Sequence, residues 1–173
     1  ITEDWTLVPD TKASIMTKLE GKAKVFGLLS ESGDVSAASQ WEGFKNVTFT
    51  FNGDELTSDP QVRWGAIPTK VNETDINNLK LYIYAPVETK AVTSGSEGLT
   101  TIVTPGFTGA VLPEESAVGA PVIQYSLPRD KADHIDIITA HKEVARSTGF
   151  RKNVPLAFTH ALTALKFKMG FEC

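Results

Sequence analysis

Residues 45–54 read Lys45-Asn46-Val47-Thr48-Phe49-Thr50-Phe51-Asn52-Gly53-Asp54, and this stretch decides the fold class. Val47, Phe49 and Phe51 alternate with Asn46, Thr48 and Thr50. A period of two sends successive side chains to opposite faces of a strand, so one face is apolar and the other polar. Asn52-Gly53-Asp54 then supplies residues that accept a positive φ, the signal of a tight hairpin turn. Glu55 to Thr57 is the expected return strand. Asp59-Pro60 ends it, since proline has no N–H to give to a ladder.

Similar segments lie on either side. Lys22 to Leu29 reads as a strand with Ala23, Val25 and Gly27 on one face. Val62 to Ile67, which holds Trp64, reads as another short one. Leu79 to Ala85 alternates, with Leu79, Leu81, Ile83 and Ala85 on one face and Pro86 closing it. Leu99 to Val103 ends at Pro105-Gly106, and Val122 to Leu127 ends at Pro128. Ile135 to Ala140 is β-branched enough to favour a strand over a helical turn. Asn72 to Asn78 and Lys90 to Gly98 read as loops, Ala110 to Pro121 as irregular, and His141 to Gly149 as polar with a turn at Thr148-Gly149. Val154 to Thr159 and Ala161 to Met169 form the last apolar stretch, where Leu165, Phe167 and Met169 alternate with Lys166 and Lys168.

Such punctuation predicts about eight to ten short strands, hence an all-β antiparallel sandwich or barrel with few or very short helices. Threonine, a β-branched residue that suits the pleated surface, occurs 19 times in 173 residues and points the same way. The expected core is Val47, Phe49, Phe51, Leu81, Ile83, Leu156, Phe158, Leu162, Leu165 and Phe167. No fixed-period repeat or low-complexity linker divides the chain.

Lysine and arginine total 17 against 21 aspartate and glutamate, a net charge of −4. That balance leaves no electrostatic footprint for nucleic acid or anionic lipid. No run of about 18 apolar residues is present to span a bilayer as a helix. The single cysteine, Cys173, forms no internal disulfide and builds no cysteine-rich zinc site. Ile1 to Asp10 lacks the basic region and apolar run of a signal peptide, and the sequence starts without Met, so we expect a leader or a longer N-terminal stretch to have been removed. The alternation after Ala161 meets no terminator, so we expect the protein to continue past Cys173.

Few residues carry a chemical signal. Asp133, His134 and Asp136 lie close together with His141 further on, and His134 and Asp136 share a strand face. A metal needs three or four converging ligands, so a solvated polar face is the favoured reading. His160 sits in the most apolar stretch without a nucleophile or orienting acid in sight; a structural histidine bonded to backbone or threonine is expected. Ser94-Gly95-Ser96-Glu97-Gly98 is neither a nucleophile elbow nor a phosphate cradle. We therefore assign no catalytic, cofactor-binding or metal residues. Asn46-Val47-Thr48 and Asn72-Glu73-Thr74 match the glycosylation sequon, a match common by chance in a chain rich in Asn and Thr. Trp5, Trp41 and Trp64 with Tyr82, Tyr84 and Tyr125 are either a sugar-stacking platform or ordinary packing, the second being favoured.

An ordered set of segments resembles the N-terminal domain of fimbrillin-family proteins, the fimbrial subunits and related surface lipoproteins of Gram-negative anaerobes. Thr11-Lys12-Ala13 to Thr17 looks like the start of that domain. Lys24-Val25-Phe26-Gly27, then Trp41 and Phe49-Thr50-Phe51-Asn52-Gly53, look like its first strands and hairpin. Leu81-Tyr82-Ile83-Tyr84-Ala85-Pro86 resembles its aromatic strand end. Asp133-His134-Ile135-Asp136-Ile137-Ile138-Thr139-Ala140 followed by Val154-Pro155-Leu156-Ala157-Phe158-Thr159-His160-Ala161-Leu162 resembles its acidic-then-apolar ending.

The resemblance implies a transthyretin-like, Greek-key β-sandwich over residues 13–173, the first of two domains. It implies a removable N-terminal strand within residues 1–12 and export to the cell surface as an outer-membrane lipoprotein. It also implies polymerisation with other fimbrial subunits by strand donation, with host proteins or glycans as adhesion partners. Where the family's protease-matured subunits carry arginine, this sequence has Lys12. A glycan-binding surface lipoprotein module is the first alternative and a hydrolase on a β-sandwich the second.

Overall fold

The computed structural model describes residues 19–31, 40–53, 55–62, 67–94, 98–111, 121–146 and 154–161. The segment 1–12, most of the strand expected around Trp64, and the core positions Leu162, Leu165 and Phe167 lie outside the described residues.

Among the described residues the elements are strands and a single 3-10 turn, Lys131–Asp133. In chain order they are β1 (Lys22–Ser30), β2 (Gln40–Asn52), β3 (Glu55–Ser58), β4 (Lys70–Val71), β5 (Thr74–Asp75) and β6 (Asn78–Val87). Then come β7 (Lys90–Ser94), β8 (Leu99–Val103), β9 (Phe107–Val111), β10 (Val122–Tyr125), β11 (Ile138–Ala145) and β12 (Thr159–His160). Six strands form the main sheet in the order β12-β11-β6-β1-β2-β3, and β4–β5, β7–β8 and β9–β10 are separate two-stranded ribbons. Every pairing is antiparallel.

β1 and β6 lie at the centre of the sheet and bury both faces. On one face Ala23, Val25 and Leu29 meet Leu79, Leu81, Ile83 and Ala85 of β6, with Ile138, Ala140 and Val144 of β11 beyond. Val154, Leu156 and Phe158 pack over this face. On the other, Phe26, Tyr84 and Val87 lie under Phe107, Ala110 and Ile123 of the β9–β10 ribbon. Alternation assigns Val25 and Phe26 to opposite faces, and here both faces have something to meet.

β2 carries two irregularities that set the register. Val25 pairs with Val47 but Gly27 with Phe44, and Leu28 then pairs with Glu42, so β2 holds an extra residue at each step. Asn46 takes φ 52° at the first bulge. One inserted residue flips the side-chain parity. Phe44 therefore packs against the same core as Phe49 and Phe51, although its number has the opposite parity. Its ring lies over Gly27, where any Cβ would overlap it.

Several expected boundaries move. Asn72 to Asn78 is not a loop throughout: Asn72 and Glu73, φ 47° and 65°, form a two-residue turn between the paired residues Val71 and Thr74. Lys90 to Ser94 is strand β7, because β8 offers it a partner. β11 starts at Ile138 rather than Ile135 and runs through the polar His141-Lys142-Glu143, since the edge of β6 bonds it regardless of side-chain polarity. β6 passes Pro86 to end at Val87, and β10 ends at Tyr125. Val154 to Phe158 leaves the ladder and crosses the core face, so only Thr159 and His160 pair with β11.

Candidate functional site

On the first face, among the described residues, an open apolar groove of about 770 Å³ lies at the β3 end of the sheet. Val25, Leu81 and Ile83 form its floor. Phe44, Phe49 and Phe51 of β2, with Leu56 of β3, form one wall, and Val154, Leu156 and Phe158 form the other. The walls meet where the Phe51 and Phe158 rings pack edge to face at 5.7 Å. Glu55, Thr57, Ser58 and Gln61 give it a polar rim.

Local sequence explains each part. The bulge at Asn46 turns Phe44 into the groove beside Phe49 and Phe51. The Asn52-Gly53 turn, with Gly53 at φ 64°, returns β3 along β2 with Phe51 opposite Leu56 and Phe49 opposite Ser58. β3 is the last strand of its sheet, and its outer edge faces no described strand. Such an edge presents backbone N–H and C=O groups next to an apolar surface. That combination suits an extended chain: the edge supplies ladder hydrogen bonds, and the groove takes every second side chain.

Of the polar positions singled out from sequence, Asp136 and His160 meet, while Asp133, His134 and His141 find partners elsewhere. Asp133 pairs with Lys90 at 2.5 Å. His134 Nε2 lies 2.8 Å from the Pro128 carbonyl, and the His141 ring stacks on Tyr82 with centroids 6.5 Å apart. Asp136 is buried and meets His160 Nδ1 at 2.7 Å. No group of three His, Cys, Asp or Glu suited to a metal occurs among the described residues. The expected backbone or threonine partner of His160 is corrected to a carboxylate. Twenty-four residues separate His160 and Asp136, and the β11–β12 pairing brings them together.

The two sequons differ. Asn46 is half-buried and its Oδ1 accepts from the Tyr84 hydroxyl, whereas Asn72 is exposed in the turn between β4 and β5. Among the described residues, the three tyrosines do not form a single open platform. Tyr84 is buried between Phe26 and Phe107. Tyr82 is half-buried, and Tyr125 is half-buried with its hydroxyl enclosed. Trp5 and Trp64 fall outside the described residues, as does the side chain of Trp41. Of Ser94 to Gly98, Ser94 ends β7 and Gly98 takes φ 66°, and residues 95–97 lie outside the described residues.

A charged cluster closes the other face. Lys22 donates to Glu88, Lys24 lies 3.8 Å from the same carboxylate, and the Glu88 N–H donates to Thr104 Oγ1 at 2.8 Å. The Lys22 hydrogen bond, aided by the charges of Lys22 and Lys24, holds the Glu88 carboxyl below the ordinary carboxylate value against an opposing burial effect.

Of the expected core, Leu81 and Ile83 are buried and Phe49, Phe51, Leu156 and Phe158 pack half-buried against it, whereas Val47 is half-buried and not among them; Phe44 and Leu56, which also pack on the core, were missed. The one signal for Phe44 was Gly43 interrupting the alternation, which marks a bulge. No family model, no curated protein and no solved structure matches the chain.

Proposed function

We propose that this chain is a structural or adhesive subunit of a bacterial cell-surface fimbria, folded as a transthyretin-like sandwich and joined to its neighbours by a donated β-strand. The observation that supports the reading is the apolar groove beside the outer edge of β3, which faces no described strand. A strand from another subunit, apolar at alternate positions, would take ladder bonds from β3 and bury its side chains against Phe44, Phe49 and Leu56. The ordered resemblance of residues 11–171 to fimbrillin-type N-terminal domains supports it from the sequence side. Burial of Tyr84 counts against a glycan-stacking surface built on the tyrosines.

Limited proteolysis tests the reading. The full-length protein is treated with limiting trypsin and run unboiled on a denaturing gel. A heat-sensitive ladder that appears only after cleavage near Lys12 is the expected result. Cleavage without a ladder would overturn strand-exchange polymerisation for this chain.

A further inference from the structure

The β7–β8 ribbon stands apart from the main sheet. It pairs with no other described strand, and every residue of β8 is exposed. Four of the large apolar side chains left in solvent sit on it: Val92, Leu99, Ile102 and Val103, with Leu99 66% and Ile102 55% accessible. A two-stranded ribbon is marginal in water, and three or more strands are needed for independent stability. Natural edge strands are usually blunted by charge or proline, and Leu99-Thr100-Thr101-Ile102-Val103 contains neither. The ribbon's one charge, Lys90, is paired with Asp133.

We propose that the outer edge of β8 pairs antiparallel with β8 of a second copy of this chain, with Thr101 on the two-fold axis. The strand is complementary to itself about that residue. In this register Leu99 lies opposite Val103 of the other copy, Thr100 opposite Ile102, and Thr101 opposite its own equivalent. Each apolar end therefore meets an apolar end, and no charge faces a like charge. A two-fold contact requires this self-matching. The whole chain carries −4, so two copies repel in general, and an uncharged strand is where that repulsion is least. The product is a four-stranded sheet, β7-β8-β8-β7, in which the apolar cross-strand pairs replace solvent. The inference is independent of strand donation at the β3 groove, which lies on a different sheet.

Sedimentation velocity on the 173-residue chain over a concentration series tests it, with circular dichroism to check folding. The wild-type chain is expected to form a dimer. Thr101→Lys and Thr101→Glu each set like charges opposite one another on the axis, and each should weaken dimerisation about tenfold or more. An equimolar mixture of the two should dimerise again, because lysine then faces glutamate. Restoration in the mixture excludes misfolding as the cause of the loss. A wild-type chain that stays monomeric up to about 0.5 mM overturns the proposal. So does undiminished dimerisation of Thr101→Lys, or a mixture that remains monomeric.

Discussion

The Tyr84 hydroxyl donates to Asn46 Oδ1 over 2.8 Å, joining residues 38 apart in the chain. Tyr84 belongs to β6 and Asn46 to the bulge of β2, with β1 between them. Burial holds the Tyr84 hydroxyl well above its ordinary pKa, so it remains a donor at any working pH. The bond anchors the side chain of Asn46, whose backbone takes φ 52° at the bulge. Tyr84→Phe leaves the half-buried amide oxygen without this donor. A loss of about 1–2 kcal/mol is expected in urea unfolding, with the stacking on Phe107 retained.

Gly27 and Phe44 form the second test. A methyl at Gly27 would enter the Phe44 ring, so Gly27→Ala has to push a groove wall outward. The cost expected is about 1–3 kcal/mol from overpacking, offset in part by a stiffer unfolded chain. Combining it with Phe44→Leu should recover part of the loss. A double-mutant cycle reads that coupling directly.

Truncations should rank by burial rather than by side-chain size. Leu79 is fully buried at the centre of the sheet, whereas Phe158 is half-buried over the groove. Leu79→Ala is expected to cost about 3–4 kcal/mol and Phe158→Ala less, despite the larger group removed. Equilibrium denaturation of the two variants side by side checks the order.

Glu88 sets an acid limb of stability. Its folded-state pKa is depressed below the ordinary value of 4.5. The stabilisation is therefore complete above that value and is lost as pH falls through the lower folded pKa. Urea midpoints of wild type and Glu88→Gln, measured from pH 7 downward, should differ near neutrality and converge below about pH 4.5. The gap should be modest, since the cluster is partly open to solvent and screened by salt.

Much of the fold was legible in the chain because strand alternation is local. Val47-Thr48-Phe49-Thr50-Phe51 and Leu79 to Ala85 declare their faces through side-chain polarity alone, and Asn52-Gly53 declares the turn through backbone freedom. β7 and the polar half of β11 were not legible. Their ladders are formed with β8 and β6, and a backbone hydrogen bond asks nothing of the side chain it carries.

The candidate groove was half legible. Phe49, Phe51, Leu156 and Phe158 follow from apolar pattern, but the side to which Phe44 points depends on a bulge whose extra residue is counted only against β1. The Asp136–His160 contact was hidden for a related reason, since 24 residues separate two groups that the β11–β12 pairing brings within 2.7 Å.

By itself the sequence determined an all-β chain, the faces of its alternating strands and the position of its sharpest turn. These depend on φ/ψ preference and side-chain period, which act over a few residues. The tertiary structure alone decided the strand order, which strands are buried on two faces, which edges face no described strand, and which distant polar groups pair. Apart from the hairpins, those are outcomes of competition among pairings between segments distant in the chain, such as β1 with β6 and β11 with β6.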